Sequence, residues 1–205
     1  MQTSDLLVLS LFSLLFDLCS LFYYNMQFYE LLKTRRSIRK YQPKKVEKDI
    51  VDKILSAALM SPASKRSNPW EFIVVQDKVL MKKLAESRPH GSQLLAESPL
   101  GIVIVADTTK SDVWIEDASI AATIIQLQAH ESGLGSCWVQ VRERFTHNQK
   151  SAEEYIREIL NIPTKYAVLC IISIGYAAET KLPFEEEKLE TTKIHFEKYQ
   201  KLKIV

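Results

Sequence analysis

The stretch Thr34-Arg35-Arg36-Ser37-Ile38-Arg39-Lys40-Tyr41 sets three guanidinium groups, one ammonium and two aliphatic hydroxyls within eight residues. An arginine fork matches two phosphate oxygens at once, and a neighbouring hydroxyl adds a neutral donor. The run therefore reads as a socket for a phosphate, and alone it reads equally as a solvated basic face or a positive helix end. A second segment narrows the choice: Ser61-Pro62-Ala63-Ser64-Lys65-Arg66-Ser67-Asn68-Pro69-Trp70-Glu71-Phe72. It joins a predicted helix to a predicted strand, is rich in small hydroxyl and amide side chains, and is stiffened by Pro62 and Pro69. Such a loop can offer backbone donors and acceptors to the edge of a planar ring. The same residues also suit an ordinary helix-to-strand connection.

Outward from these segments, hydrophobic periodicity lays out the elements. Phe28 to Thr34 reads as a short helix feeding the basic run. Val46 to Met60 reads as an amphipathic helix with Ile50, Val51, Ile54, Leu55, Ala58 and Leu59 on one stripe. Strands are predicted at Phe72–Gln76, Ile102–Ala106, Ser136–Val141 and Val168–Ile174, the last apolar but for Ser173 and suited to a central position buried on both faces. Helices are predicted at Lys78–Glu86, at Asp117–Ser132 (rich in small residues and ended by Gly133), and after the capping box Ser151-Ala-Glu-Glu154, through Leu160 to Pro163. The tail beyond Lys181 is charged and has no core of its own.

The chain has 205 residues, enough for one α+β domain with a sizeable core and too few for two comfortable ones. A net charge of +2 demands neither nucleic acid nor an anionic surface. The three cysteines, Cys19, Cys137 and Cys170, are scattered and odd in number. They form no disulfide framework and point to a reducing, cytoplasmic setting. Within residues 1–25, Leu6 to Tyr24 form an almost continuous apolar run broken by Asp17, with neither a basic start nor a small-residue cleavage site. Residues 1–25 read as upstream sequence outside the fold, with Met26 as the natural start. An amphipathic or membrane-seeking helix is the alternative. No Gly-x-Gly-x-x-Gly and no Walker A sequence occurs. His90, His130, His147 and His195 lack metal spacing, and no Ser-His-Asp or Cys-His arrangement is visible. The chemistry of an enzyme built this way has to come from a bound cofactor, with no catalytic side chain and no metal.

The two segments together resemble the FMN-dependent nitroreductase family. Gly133-Leu-Gly-Ser-Cys-Trp-Val139 and Ile174-Gly175-Tyr176 add two further matches, so the resemblance runs from about Met26 to Tyr199. It implies a mixed, mainly antiparallel central sheet flanked by helices. It also implies an intertwined homodimer with FMN at the subunit interface, and a 26–205 domain whose C-terminal tail reaches the partner. Carried onto this chain, Arg35, Ser37 and Arg39, with Arg36 close by, would hold the FMN phosphate and ribityl chain. Pro62, Ala63 and Ser64 would lie along the ring, and Asn68 would touch the ring or the ribityl chain. Arg66 stands where many relatives have Asn, and its cation would face the N1–C2 edge of reduced flavin or solvent. Gly135 and its neighbours would line the other side of the ring. A backbone N–H near Gln140 or Val141 would approach N5, and Lys188 (with Lys181 and Lys193 as rivals) would reach the phosphate. The implied activity takes hydride from NADH or NADPH and passes electrons to a nitroaromatic, quinone or similar small molecule. Another flavin reaction on the same fold is the alternative; a nucleic-acid-binding module or a membrane-tethered protein fits the composition less well.

Overall fold

The structure, a computed structural model, describes residues 27–199. The apolar leader, Met26 and Cys19 fall outside the described residues. The first helix, α1, is Phe28–Thr34, and α2 is Lys48–Leu59. The sheet is built from β1 (Trp70–Val75), β2 (Leu100–Asp107), β3 (Gly135–Gln140) and β4 (Tyr166–Gly175). Between them run α3 (Lys78–Ala85), α4 (Trp114–Glu131) and α5 (Ala152–Leu160).

The strands lie in the order β1-β2-β4-β3, and all three pairings are antiparallel. A parallel element enters only as the isolated bridge between Ser37 and Ser136 on the outer side of β3. The apolar run at Val168–Ile174 does occupy a central strand, buried from Val168 to Gly175. Alternation along β2 sends Ile102 and Ile104 towards α2 and α4, and Val103 and Val105 towards α3 and α5. One layer of helices thus covers each face. The register slips between Ile104 and Val105, leaving Leu169 as an extra residue in β4.

The central helix α4 begins three residues earlier than its sequence pattern suggests. Asp117 therefore lies inside its first turn, on the buried side, rather than at its cap. Ala118, Ala121, Ala122 and Ala129 are buried and let α4 approach the sheet and α2 closely. Its end is a Schellman arrangement: Leu134 donates to Ala129 O at 2.9 Å and Gly133 to His130 O at 3.0 Å, with Gly133 at φ 76°. The capping box at Ser151 does not form. The hydroxyl makes no capping bond, and the Ala152 amide instead donates to Arg144 O at 2.8 Å. On α2, Val51, Ile54 and Ala58 are buried as the stripe requires, but Leu59 and Met60 are exposed immediately before the 61–68 loop. Among the described residues no helix is long and apolar enough to cross a membrane.

Candidate functional site

The basic segment leaves α1 at Arg35 and runs along the outer side of β3. Ile38 donates to Ser136 O at 2.9 Å, and Tyr41, buried, donates its phenol to Ile38 O at 2.6 Å and meets Ser173 Oγ at 2.7 Å. Burial pushes the Tyr41 phenol well above its ordinary value, so it stays a donor. Gly135 is glycine because Ile38 lies against it: a Cβ there would sit 2.7 Å from Ile38 Cβ. Arg35, Ser37 and Arg39 gather around Cys137. Its thiol is raised by burial, against the opposing pull of Arg39, Ser37 and Arg35. Among the described residues neither Arg35 nor Arg39 enters an ion pair. Arg36 turns away to donate to Leu182 O and lies over the Phe184 ring. Ser136 Oγ, buried beside Ser37, has no hydrogen-bond partner among the described residues.

The 61–68 loop is built differently. Lys65, Arg66 and Asn68 all have left-handed backbones, with φ of 52°, 56° and 42°. Such strain in non-glycine residues persists only where the surroundings impose it, and it concentrates at functional sites. Asp117 meets the loop just before these residues. This buried carboxylate accepts from the Ser64 amide at 2.8 Å and from Ser111 Oγ at 2.9 Å. Pro62, Arg66 and Asn68 are exposed, Ala63 and Ser64 partly so. Ser61 Oγ, Ser67 Oγ and the Trp70 indole N–H are buried without partners in the protein. Trp70 is core, stacked on Phe72.

At the far end of β3, the amides of Val141 and Arg142 both donate to Leu169 O, at 3.2 and 3.0 Å. The bulge residue thus consumes the Val141 N–H, and the Val141 side chain lies in the core. Gln140 differs. Its carbonyl points away from β4 and accepts from Arg88 Nη1 at 3.2 Å. Its N–H shares that outward side, because both groups of a strand residue face one neighbour. Its side chain bridges Trp138 Nε1 at 2.8 Å and Arg142 O at 3.0 Å.

The structure therefore unites Arg35, Ser37, Arg39, Gly135 and Ser136, and leaves Pro62, Ala63, Ser64, Arg66 and Asn68 elsewhere. The two groups flank opposite ends of α4. Thr34 is bonded to His130 Nε2 at 2.9 Å, and Ser64 to Asp117. Thirteen residues of helix separate those anchors, about 20 Å at roughly 1.5 Å per residue. Lys188 lies in the exposed tail, paired with Glu185 at 2.8 Å; Lys181 pairs with Glu179 and Lys193 with Glu190. The tail first runs back along the basic segment, with Ala178 donating to Lys40 O and Phe184 to Lys33 O, each at 2.9 Å. Glu179 fixes the backbone by accepting from the Arg39 amide at 2.6 Å. Asp117 and Glu179 escaped the sequence reading. A carboxylate inside an otherwise alanine-rich buried helix was the available signal for Asp117; an exposed tail offered none for Glu179.

A model of the Nitroreductase family matches residues 32–88 and 87–176. An FMN-dependent nitroreductase of Clostridium difficile R20291 has a solved structure that superposes with a TM-score of 0.81. It is 55% identical, and the match covers 82% of this chain and 98% of that one. A nitroreductase family protein from Clostridium novyi NT gives a TM-score of 0.67 at 29% identity, over 75% and 87% of the two chains. A protein of Methanothermobacter thermautotrophicus, provisionally named NADH dehydrogenase/NAD(P)H nitroreductase, is 35% identical over 178 residues, 85% of this chain and 89% of its own.

Proposed function

The chain belongs to the nitroreductase family, and from that premise we propose that it is an FMN-dependent oxidoreductase drawing on NADH or NADPH. When bound, FMN supplies the chemistry, taking hydride from the nicotinamide at N5 and passing electrons to a nitroaromatic, quinone or similar acceptor. The observation that carries the reading is the socket of Arg35, Ser37 and Arg39. Among the described residues two guanidinium groups there lack a carboxylate partner, beside a buried Ser136 hydroxyl that lacks any hydrogen-bond partner. These are the donors a phosphate and a polyol chain require. The 61–68 loop suits the ring, with backbone groups held out by Asp117. Arg66 is free to place its cation near the ring edge, and the outward Gln140 N–H suits a flavin nitrogen. The protein's own share of the work is to bind, orient and exclude water; no side chain moves a proton.

The separation of the two halves along α4 supports a site assembled from two copies of the chain, each contributing one half. The exposed Leu59 and Met60, and the exposed Leu189, Ile194 and Phe196 of the tail, supply apolar surface for that contact. In such a homodimer Lys188 has to cross to the partner to reach a phosphate. The buried free thiols Cys137 and Cys170 accord with a cytoplasmic setting. The test is a visible spectrum of the purified protein under anaerobic NADH and then NADPH. Flavin absorbance that bleaches is the expected result. Protein that stays colourless after reconstitution with FMN overturns the reading, and sedimentation as a monomer with full flavin content overturns the shared site.

A further inference from the structure

Arg88 belongs to neither half of the site. It is half-buried, packs over Gly91 and gives one N–H to the Gln140 carbonyl. Arg88 also lines a cavity of about 450 Å³, together with Lys82 and His147. Burial first, and then the neighbouring Arg144, pull its guanidinium below the ordinary value, as expected for a cation with no anion beside it. The one carboxylate lining this cavity, Glu86, already accepts from the Tyr155 hydroxyl at 3.1 Å. Among the described residues Arg88, Lys82 and His147 form no ion pair.

Lys82 and Ala96 also line a second cavity, of about 640 Å³, so the two adjoin at those residues; together we call them the groove. Lys44, Lys45 and Lys78 join it there against the single carboxylate Glu97. Lys44 is held by Glu47 at 3.1 Å, but Lys45 and Lys78 have no acidic partner among the described residues. A concave surface with this excess of cations suits a ligand carrying several separated anionic groups. Its one aromatic lining residue, Tyr41, is buried, so it lacks the stacking platform of a nucleic-acid groove.

We propose that this groove holds the phosphates of the nicotinamide donor, and that the donor is NADPH. Arg88 and His147 grip the pyrophosphate, and Lys78 and Lys82 take the 2′-phosphate. The proposal rests on the reading that places flavin N5 at Gln140. A nicotinamide stacked there is joined to its pyrophosphate through one ribose, which brings that group to Arg88. The adenosine half then continues past Lys82 into the larger cavity.

The FMN-loaded enzyme is titrated calorimetrically with 2′-phospho-ADP-ribose, which carries the phosphates without the nicotinamide. KM values for NADPH and NADH are measured alongside for wild type, Arg88→Gln, Arg88→Lys and the double variant Lys78→Glu/Lys82→Glu. The expected result has the probe compete with NADPH. Arg88→Gln weakens the probe and raises KM for both donors about tenfold, Arg88→Lys recovers part of the loss, and the lysine variant raises KM for NADPH alone. FMN content and melting temperature identify any variant that has merely misfolded. Equal use of NADH and NADPH, or KM and probe affinity that ignore the variants, overturns the proposal. A neutral N-benzyl dihydronicotinamide, which has no phosphate, separates the two readings. If it reduces the bound flavin while the variants have no effect, the groove alone is wrong; if no dihydronicotinamide reduces it, the flavin reading fails first.

Discussion

Residues 35–41 are stitched to the sheet through Ile38 and Tyr41 and to the tail through the amide of Arg39, whereas the middle of residues 61–68 is held by one buried carboxylate. The first segment has ordinary backbone angles, and its bonds are spread over β3, β4 and the tail. The second has left-handed conformations at Lys65, Arg66 and Asn68; it enters from α2 through the Ser61 amide on Ala58 O at 3.1 Å, and its side-chain anchor is the Ser64–Asp117 bond. A phosphate socket can be rigid because a phosphate looks alike from many directions. On the proposed reading the 61–68 loop lies along one plane of a ring, which needs a particular backbone path, and that path carries left-handed strain beside a buried carboxylate anchor.

The contrast breaks most visibly at Asp117. Asp117→Ala leaves two donors without their acceptor, and we expect a loss of about 2–3 kcal/mol in urea denaturation, together with most of the FMN affinity. If stability and affinity both survive, the loop is held by something other than this carboxylate. Next in size, Arg35→Gln and Arg39→Gln should each weaken FMN about tenfold or more in fluorescence titration of the apoprotein, while stability moves by no more than about 0.5 kcal/mol. Equal losses in both quantities would mean that the socket is structural. A smaller effect of opposite sign is expected at Lys65. Glycine accepts φ 52° without penalty, so Lys65→Gly should stabilise the protein by about 0.5–1 kcal/mol, less the cost of the more flexible unfolded chain that glycine brings.

The smallest effect concerns pH. Burial, and after it Arg35, lower the pKa of His130 from its ordinary 6.5, so the native state keeps the ring neutral. A group depressed on folding contributes stability above its unfolded value. That contribution should therefore be intact above about pH 6.5 and decline as pH falls towards the folded value. His130→Asn should flatten this slope in denaturation measured from pH 7.5 to 5. An anion bound beside Arg35 relieves the repulsion, so FMN-loaded protein should show a shallower slope than apoprotein.

Much of the fold was legible because it is written in periodic patterns. The span of α1 and the central place of β4 follow from apolar runs that have few other uses. Side-chain roles failed where a local signal lost to a tertiary partner. Ser151 has the form of a cap, but Arg144 O satisfies the adjoining amide. Leu59 sits on the helical stripe yet faces outwards, because that stripe ends at a surface. At the site, the residue types were legible and their distribution was not. The spacing of two segments along the sequence says nothing of the helix between them, and α4 sets them at its two ends. Asp117 was hidden by a three-residue error in where that helix starts. Val141 lost its amide to a bulge at Leu169, and no pattern in either strand announces that bulge.

The outward carbonyls of β3 have a further consequence, in terms of self-association. An open strand rim invites pairing with another chain and from there aggregation. Here the Ser136 carbonyl is taken by Ile38 and the Gln140 carbonyl by Arg88, neither of which extends the sheet. The contacts that shape the two ends of the site also act as gatekeepers against strand-to-strand polymerisation. Selection for a working site would then preserve solubility as a by-product, and losing Arg88 would endanger both.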